Sequence, residues 1–244
     1  MLGYGKTDIG QQRPKNEDSL YVSNEPIGKL HNLYIVADGM GGHKAGQVAS
    51  NTAIEAFLAY LNKYQPDSTE EPLDMLIGGI NMANEAVYKL GHTYDEYGDM
   101  GTTMVAATVV DSSMYIAHVG DSRLYRISGG EITQITNDHS LVAEMVKAGQ
   151  ISEEEARVHP QRNCITRAVG TDSTVTADGL IVKVKEGDII VMCSDGLNTM
   201  IEDDEICSIA KAKVFTLEER ADMLINAANS NGGLDNISAV IIDI

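Results

Sequence analysis

Three acidic pairs stand beside apolar, strand-like runs at widely separated points of this chain. Asp38-Gly39 follows residues 33–37, Asp195-Gly196 follows 188–194, and Asp235-Asn236 precedes 237–242. A fourth acid, Asp121, follows the run 114–120. A strand end fixes where a side chain points, and a glycine beside the acid lets the backbone come close to a ligand. Four carboxylates held this way predict one convergent acidic site. Mutual repulsion makes such a cluster costly unless cations neutralise it, so the expected occupants are hard divalent metals, manganese or magnesium. Asp38 and Asp195 end their runs whereas Asp235 opens one. For all three to meet, the last strand must run opposite to the other two.

The rest of the chain supplies elements in an order that suits such a site. Residues 20–23 and 33–37 read as short strands, and 45–61 and 73–90 carry apolar residues at helical spacing. A β-rich block follows at 102–110, 114–119, 124–127 and 131–135, with Ser128-Gly129-Gly130 as a hairpin signal. Asp138 is placed to cap a helix over 140–148, and Ser152 with Glu155 and Thr216 with Glu219 spell capping boxes. The stretch 150–163 is polar and weakly patterned, a candidate flap. Strands return at 176–184 and 188–193, and helices at about 203–212 and 217–230 precede the last strand. Asp178-Gly179 interrupts its run and is read as a bulge. Short meandering strands favour antiparallel pairing, and helices at both ends favour a two-sheet core covered on its outer faces.

The 244 residues fit one domain spanning 1–244, and with no Trp and two Phe its core must be built from Val, Ile, Leu, Ala and Met. A net charge of −18 argues against nucleic acid and against anionic membrane surfaces, although metals in the cleft would reverse the sign locally. Three cysteines without a CxxC pair argue against a disulfide scaffold and against structural zinc. The first ten residues hold no apolar signal core, and no apolar run is long enough to span a bilayer. A cytoplasmic setting without membrane insertion is the expectation.

Within the acidic set, Asp38 is the candidate to bridge two metals, the Gly39 carbonyl can supply a further oxygen, and Asp195 and Asp235 would complete one metal's protein ligands. Two metals roughly 3.5–4 Å apart acidify a shared water and hold a phosphoryl oxygen, the apparatus for hydrolysing a phosphate ester. Arg13 supplies the matching cation, a fixed fork that cannot lose its charge. Glu17 and Asp18, just behind it, could hold metal-bound waters.

The full set resembles the metal-dependent protein phosphatases, the type 2C Ser/Thr family, over nearly the whole chain. The matching residues are Arg13…Asn16-Glu17-Asp18, Val36-Ala37-Asp38-Gly39-Met40-Gly41-Gly42, Gly101-Thr102-Thr103, Gly120-Asp121-Ser122-Arg123, Ser194-Asp195-Gly196-Leu197 and Asp235-Asn236. The Asp-Gly-Met-Gly-Gly form and compact length resemble the bacterial branch, which typically opposes a Ser/Thr kinase. The resemblance implies an α+β fold, an α-β-β-α sandwich of two mainly antiparallel sheets with the metals in a cleft at one edge. It implies two manganese or magnesium ions on Asp38, Gly39, Asp195 and Asp235, and a third, weaker ion on Asp121 sharing Asp195. It implies Arg13 on the substrate phosphate and phosphorylated proteins as partners, the kinase and its substrates among them, with nothing to suggest an obligate oligomer. Arg13, Asp18 and Asp38 are thus the expected catalytic residues. A non-catalytic binding module of the same fold and a hydrolase of small phosphorylated molecules are the competing readings.

One departure concerns the leaving group. Some relatives carry a His close to the metals that has been proposed as general acid, where this chain has Met40, which has no proton to give. His43 lies three residues on, but a metal-bound water is the expected donor. His118 reads as a hydrogen-bonded core residue, His139 as a local cap, and His31 and His92 as exposed loop residues. His159 and Arg162 fall in the candidate flap, and Cys193 reads as a small core residue.

Overall fold

The chain runs β1 (Leu2–Asp8), β2 (Asp18–Ser23), β3 (Leu33–Met40), α1 (Ala45–Leu61), α2 (Pro72–Thr93), β4 (Gly101–Thr102), β5 (Met104–Val110), β6 (Ser113–Val119), β7 (Arg123–Ser128), β8 (Glu131–Gln134), α3 (Leu141–Lys147), α4 (Glu153–Val158), β9 (Asp178–Lys183), β10 (Ile189–Cys193), α5 (Asp195–Asn198), α6 (Asp203–Ala210), α7 (Leu217–Ser230) and β11 (Ile237–Asp243). The structure, a computed structural model, describes residues 1–41, 45–63 and 69–244. His43 lies outside the described residues.

The strands form two sheets, β1-β11-β10-β7-β8 and β2-β3-β5-β6-β9, with β4 on β3, and each named pairing is antiparallel. Side-chain alternation then sorts the core into three layers. Leu33, Ile35 and Ala37 of β3 pack with α1 and α2, while Tyr34 and Val36 face the other sheet. Ile189, Val191 and Cys193 of β10 pack with α6 and α7, while Ile190 and Met192 face inward. Burial on both faces explains why these strands read as continuous apolar runs. The result is the expected α-β-β-α sandwich, and β11 runs opposite to β10, as convergence of Asp195 and Asp235 requires.

Small residues seat α1 on the end of β3. Its buried stripe begins Ala45, Gly46, Ala49 and Ser50. A Cβ built on Gly39 would lie 2.1 Å from the Gly46 carbonyl oxygen and 2.5 Å from that of Glu17. Glycine at 39 therefore answers a close approach of three backbones.

Several expectations need correction. Strand β1 carries no period-two signal in Gly3, Gly5 and the polar Lys6-Thr7-Asp8, and exists through backbone pairing with β11 along its whole length. Ser140, not Asp138, caps α3, accepting from the Ala143 N–H, because Asp138 is engaged by Arg123. Asp178-Gly179 is no bulge: Asp178 opens β9 in register with His118, and Gly179 with Ala117. His92 is exposed but sits in the last turn of α2, where Tyr88 O lies 2.9 Å from its Nδ1. The candidate flap contains the short helix α4 behind the Ser152–Glu155 capping box.

Candidate active site

The acids meet at one end of the sandwich. Asp38, Asp121, Asp195 and Asp235 line a single cleft of about 190 Å³ with Arg13, Glu17 and Gly39. Asp18 is the one member of the predicted set behind this wall: it is buried, and its β2 position pairs with Asp38 across the sheet. Met40 and Gly41 complete the β3 side, and Asn163 and Ile165 close the wall opposite. Asn163 is the last residue of the candidate flap, which the family resemblance places near Asp121, whereas Ile165 lies beyond it and carried no expectation. The polar stretch gives no pattern, and only the tertiary fold brings its end to the cleft.

The signature residues beside the acids hold the backbone. Asp38 donates its N–H to Thr103 Oγ1 at 2.9 Å, and its carbonyl accepts from the Thr102 hydroxyl and the Thr103 N–H, each at 2.8 Å. Thr103 is in turn tied to Ser122 Oγ at 2.6 Å, which joins the turn after Asp121 to the same brace. Ser194 donates to Asp18 Oδ2 at 2.7 Å and accepts from the Ser238 N–H at 3.0 Å. Arg123 does not face the cleft. It grips Asp138 through two nitrogens and donates to the Tyr125 hydroxyl.

The electrostatics fit a site built for cations. Burial, then the neighbouring acids, pushes Asp38 well above the carboxylate range. The same order of causes lifts Asp121 to about 8 and Asp195 to about 6. Burial lifts Asp18 to about 7 despite its serine hydrogen bonds. Asp18 Oδ1 and Asp121 Oδ1 are buried without a hydrogen-bond partner. Carboxylates gathered at this cost, with orphaned oxygens, suit hard divalent ions. Arg13 stands at the rim, 46% exposed, and donates to Asp235 Oδ2 at 2.5 Å. In this structure the guanidinium therefore lies against the wall rather than across the mouth.

A second donor group lies outside the cleft lining. His118, His139 and Asp178 place ligand atoms within 4.8 Å of one another. The hydrogen bonds argue against a metal at this group. The Gly120 N–H donates to His139 Nδ1 at 3.1 Å, which fixes the neutral ring's proton on Nε2, 3.3 Å from Asp178 Oδ2. A metal on Nε2 would force a proton onto Nδ1, against a backbone donor. His139 thus supports the Asp121 turn rather than acting as a cap. His118 stacks on it at 4.6 Å, with both ring nitrogens buried and unbonded, so the expected hydrogen bond to His118 is not found. His159 ends α4, and neither it nor Arg162 lines the cleft. Cys193 is buried in the core, as expected.

Comparison with known proteins agrees with this geometry. The family model described as protein phosphatase 2C matches residues 5–232. A candidate type 2C protein phosphatase of Streptococcus pyogenes serotype M6 is 44% identical over 97% of this chain and 95% of that protein. The crystal structure of the serine/threonine phosphatase Stp1 from Staphylococcus aureus is 36% identical, covering 99% of this chain and 94% of that one at a TM-score of 0.90. The catalytic domain of the serine/threonine protein phosphatase PstP, solved with two manganese ions, is 31% identical over 99% of this chain and 97% of its own, at a TM-score of 0.86. With its acids converged in one cleft and its match running almost end to end, the chain belongs to the protein phosphatase 2C family.

Proposed function

We infer that this protein removes phosphate from phosphoserine and phosphothreonine in other proteins. The observation that carries the reading is the meeting of Asp38, Asp121, Asp195 and Asp235 with Arg13 in one open cleft. Asp38, the Gly39 carbonyl, Asp195 and Asp235 would hold two manganese or magnesium ions, and Asp121 with Asp195 a third, weaker one. Bound there, such ions supply neutralisation of the phosphoryl oxygens and a water acidic enough to attack phosphorus without a covalent enzyme intermediate.

The chain's own residues do the rest. Arg13, whose present partner is Asp235, would grip a non-bridging phosphoryl oxygen with its fork. Its guanidinium stays charged through the reaction, so it stabilises charge spreading over the transferred group. Glu17, on the cleft wall, would accept hydrogen bonds from waters ordered there, and Asp18, held by the Ser194 hydroxyl behind the wall, backs Asp38 from the neighbouring strand. Met40 stands on the wall without a proton to offer the leaving oxygen. Thr102, Thr103 and Ser122 fix Asp38 and the Asp121 turn against recoil.

We further take residues 1–244 as one catalytic unit, working as a monomer in the cytoplasm on substrates of a cognate Ser/Thr kinase and on that kinase. The names of the bacterial relatives support the substrate class, and the described residues include no helix long and apolar enough to cross a membrane.

Phosphate release from a phosphothreonine peptide, with manganese and then with excess chelator, tests the reading. Turnover that needs metal and exceeds that on nucleotides and sugar phosphates is expected. Preference for the small molecules would replace the substrate class. Manganese binding by calorimetry without any turnover would favour a binding module.

A further inference from the structure

The loop between β1 and β2 carries Arg13 at its exposed turn, and its local side-chain hydrogen bonds, Gly10 N–H to Asp8 Oδ1 and Asp18 N–H to Asn16 Oδ1, lie at its two ends. Asn236 fixes the loop from the far end of the chain. Its side-chain amide is 4% exposed and spends its three hydrogen bonds on this loop. Nδ2 donates to the Ile9 carbonyl at 2.9 Å and to the Lys15 carbonyl at 2.7 Å, and Oδ1 accepts from the Glu17 N–H at 2.8 Å. These partners bracket Arg13 on both sides, so one planar group closes the loop into a staple.

We propose that Asn236 is a positioning residue for Arg13, setting where the guanidinium can reach in the cleft. This rests on the reading of Arg13 as the group that holds phosphate. Two further contacts show that the loop is registered against the segment ahead of β11. The Gln11 N–H donates to the Gly233 carbonyl at 2.8 Å. Gly10, at φ +79°, passes so close that a Cβ there would lie 2.1 Å from the Asp235 carbonyl oxygen. The residue's own N–H binds Asp235 Oδ1 at 2.8 Å, while Arg13 takes Oδ2 of the same carboxylate. The phosphate-gripping arm and a proposed metal ligand are thus referred to a single residue.

The chemistry of the side chain explains the choice of asparagine. Two donors and an acceptor in one plane are needed. Aspartate would set a carboxylate oxygen against two carbonyls, and glutamine would overshoot by one carbon. Loss of the amide would leave three part-buried backbone groups of the loop without their partner and let its Arg13 turn wander.

The test is a double-mutant cycle between Asn236→Ala and Arg13→Ala, read by inorganic phosphate inhibition, by KM and kcat on a phosphothreonine peptide, by manganese calorimetry and by amide hydrogen exchange. Asn236→Ala is expected to weaken phosphate inhibition about tenfold, the usual scale for loss of an oriented charged contact. Manganese affinity should change less than about twofold, and exchange of residues 11–17 should speed up. In the Arg13→Ala background the added effect on phosphate should fall below about twofold. An equal loss in that background, a parallel loss of manganese affinity, or unchanged exchange would overturn the proposal. If Arg13→Ala leaves phosphate inhibition unchanged, the phosphate role of Arg13 fails and the proposal with it. If Arg13→Ala weakens phosphate but Asn236→Ala does not, only the proposal fails. Asn236→Ser, which keeps one hydroxyl for one of the three partners, carries the same measurements if the alanine variant does not fold.

Discussion

Asp18 and Asp38 face each other across the antiparallel pair β2–β3, two carboxylates in register at the same rung. Like charges directly opposite in a sheet destabilise it. Asp18 adds a buried oxygen without a partner and a pKa raised to about 7, chiefly by burial. The sheet is therefore built against its own stability at this rung, which is intelligible if cations complete it.

It follows that Asp18→Asn should stabilise the metal-free protein while harming its function. Asparagine keeps an acceptor for the Ser194 hydroxyl and removes the buried charge. Melting of the metal-free variant should rise by about 2–4 °C, the shift expected for about 1 kcal/mol in a chain of this size. Turnover should fall at least about tenfold, and the stabilisation gained from manganese should shrink. Calorimetric scans with and without metal check both; a lower melting temperature in the metal-free variant would refute the strain.

Gly39 couples the metal edge to packing. A methyl group there has to displace the Gly46 carbonyl, 2.1 Å away, and so lift the first turn of α1 from β3. Gly39→Ala should cost about 3 kcal/mol, the upper range for an overpacked core, because the obstacle is backbone and cannot rotate aside. Urea unfolding measures the loss. Manganese affinity should fall with it, since the displaced atoms flank Asp38. Stability within about 0.5 kcal/mol of the parent would show that the approach relaxes freely.

Asp195→Ala separates function from folding. Asp195 is raised to about 6 by burial and by Asp235, so its charge opposes the metal-free fold. Its removal should abolish metal-dependent turnover with the fold intact by circular dichroism. Near-normal turnover would dissolve the proposed site.

The sequence made the acids legible because strand ends and glycine neighbours are local signals. Asp38, Asp195 and Asp235 could be set at strand boundaries without tertiary information, and opposing strand directions followed from their convergence. Helix α7 was readable to the residue because Thr216 and Glu219 form a capping box and Asn231 follows its last turn. The failures have non-local causes. Strand β1 is specified by pairing with β11 at the other end of the chain. Asp138 is drawn from its cap by Arg123, fifteen residues away. Ile165 reaches the cleft only because the segment after α4 returns along the Asp121 turn, where Thr166 N–H binds the His139 carbonyl. The roles of Asn236, Thr103 and Ser194 are hydrogen bonds across long separations, visible as signature residues but not as contacts.

His118 provides a pH signature independent of the acidic cleft. It is 1% exposed, stacked on His139, with Asp178 and Arg167 beyond, and burial lowers its pKa to about 4. His139 shifts in the same direction, again chiefly through burial. Above the unfolded value of 6.5 both states are neutral and stability does not depend on this ring. As pH falls from there, the unfolded chain takes up a proton that the folded protein refuses, so stability declines until about pH 4, where the folded ring also titrates. The full loss is on the order of 3 kcal/mol for a shift of this size. His118→Phe keeps a flat ring against His139 and removes the proton site. Urea unfolding of the manganese-loaded protein should show parent and variant diverging as the pH is lowered below about 6.5, with the parent the more acid-sensitive. Parallel profiles would mean that water or a shifted neighbour satisfies His118 in solution and that its burial carries no such cost.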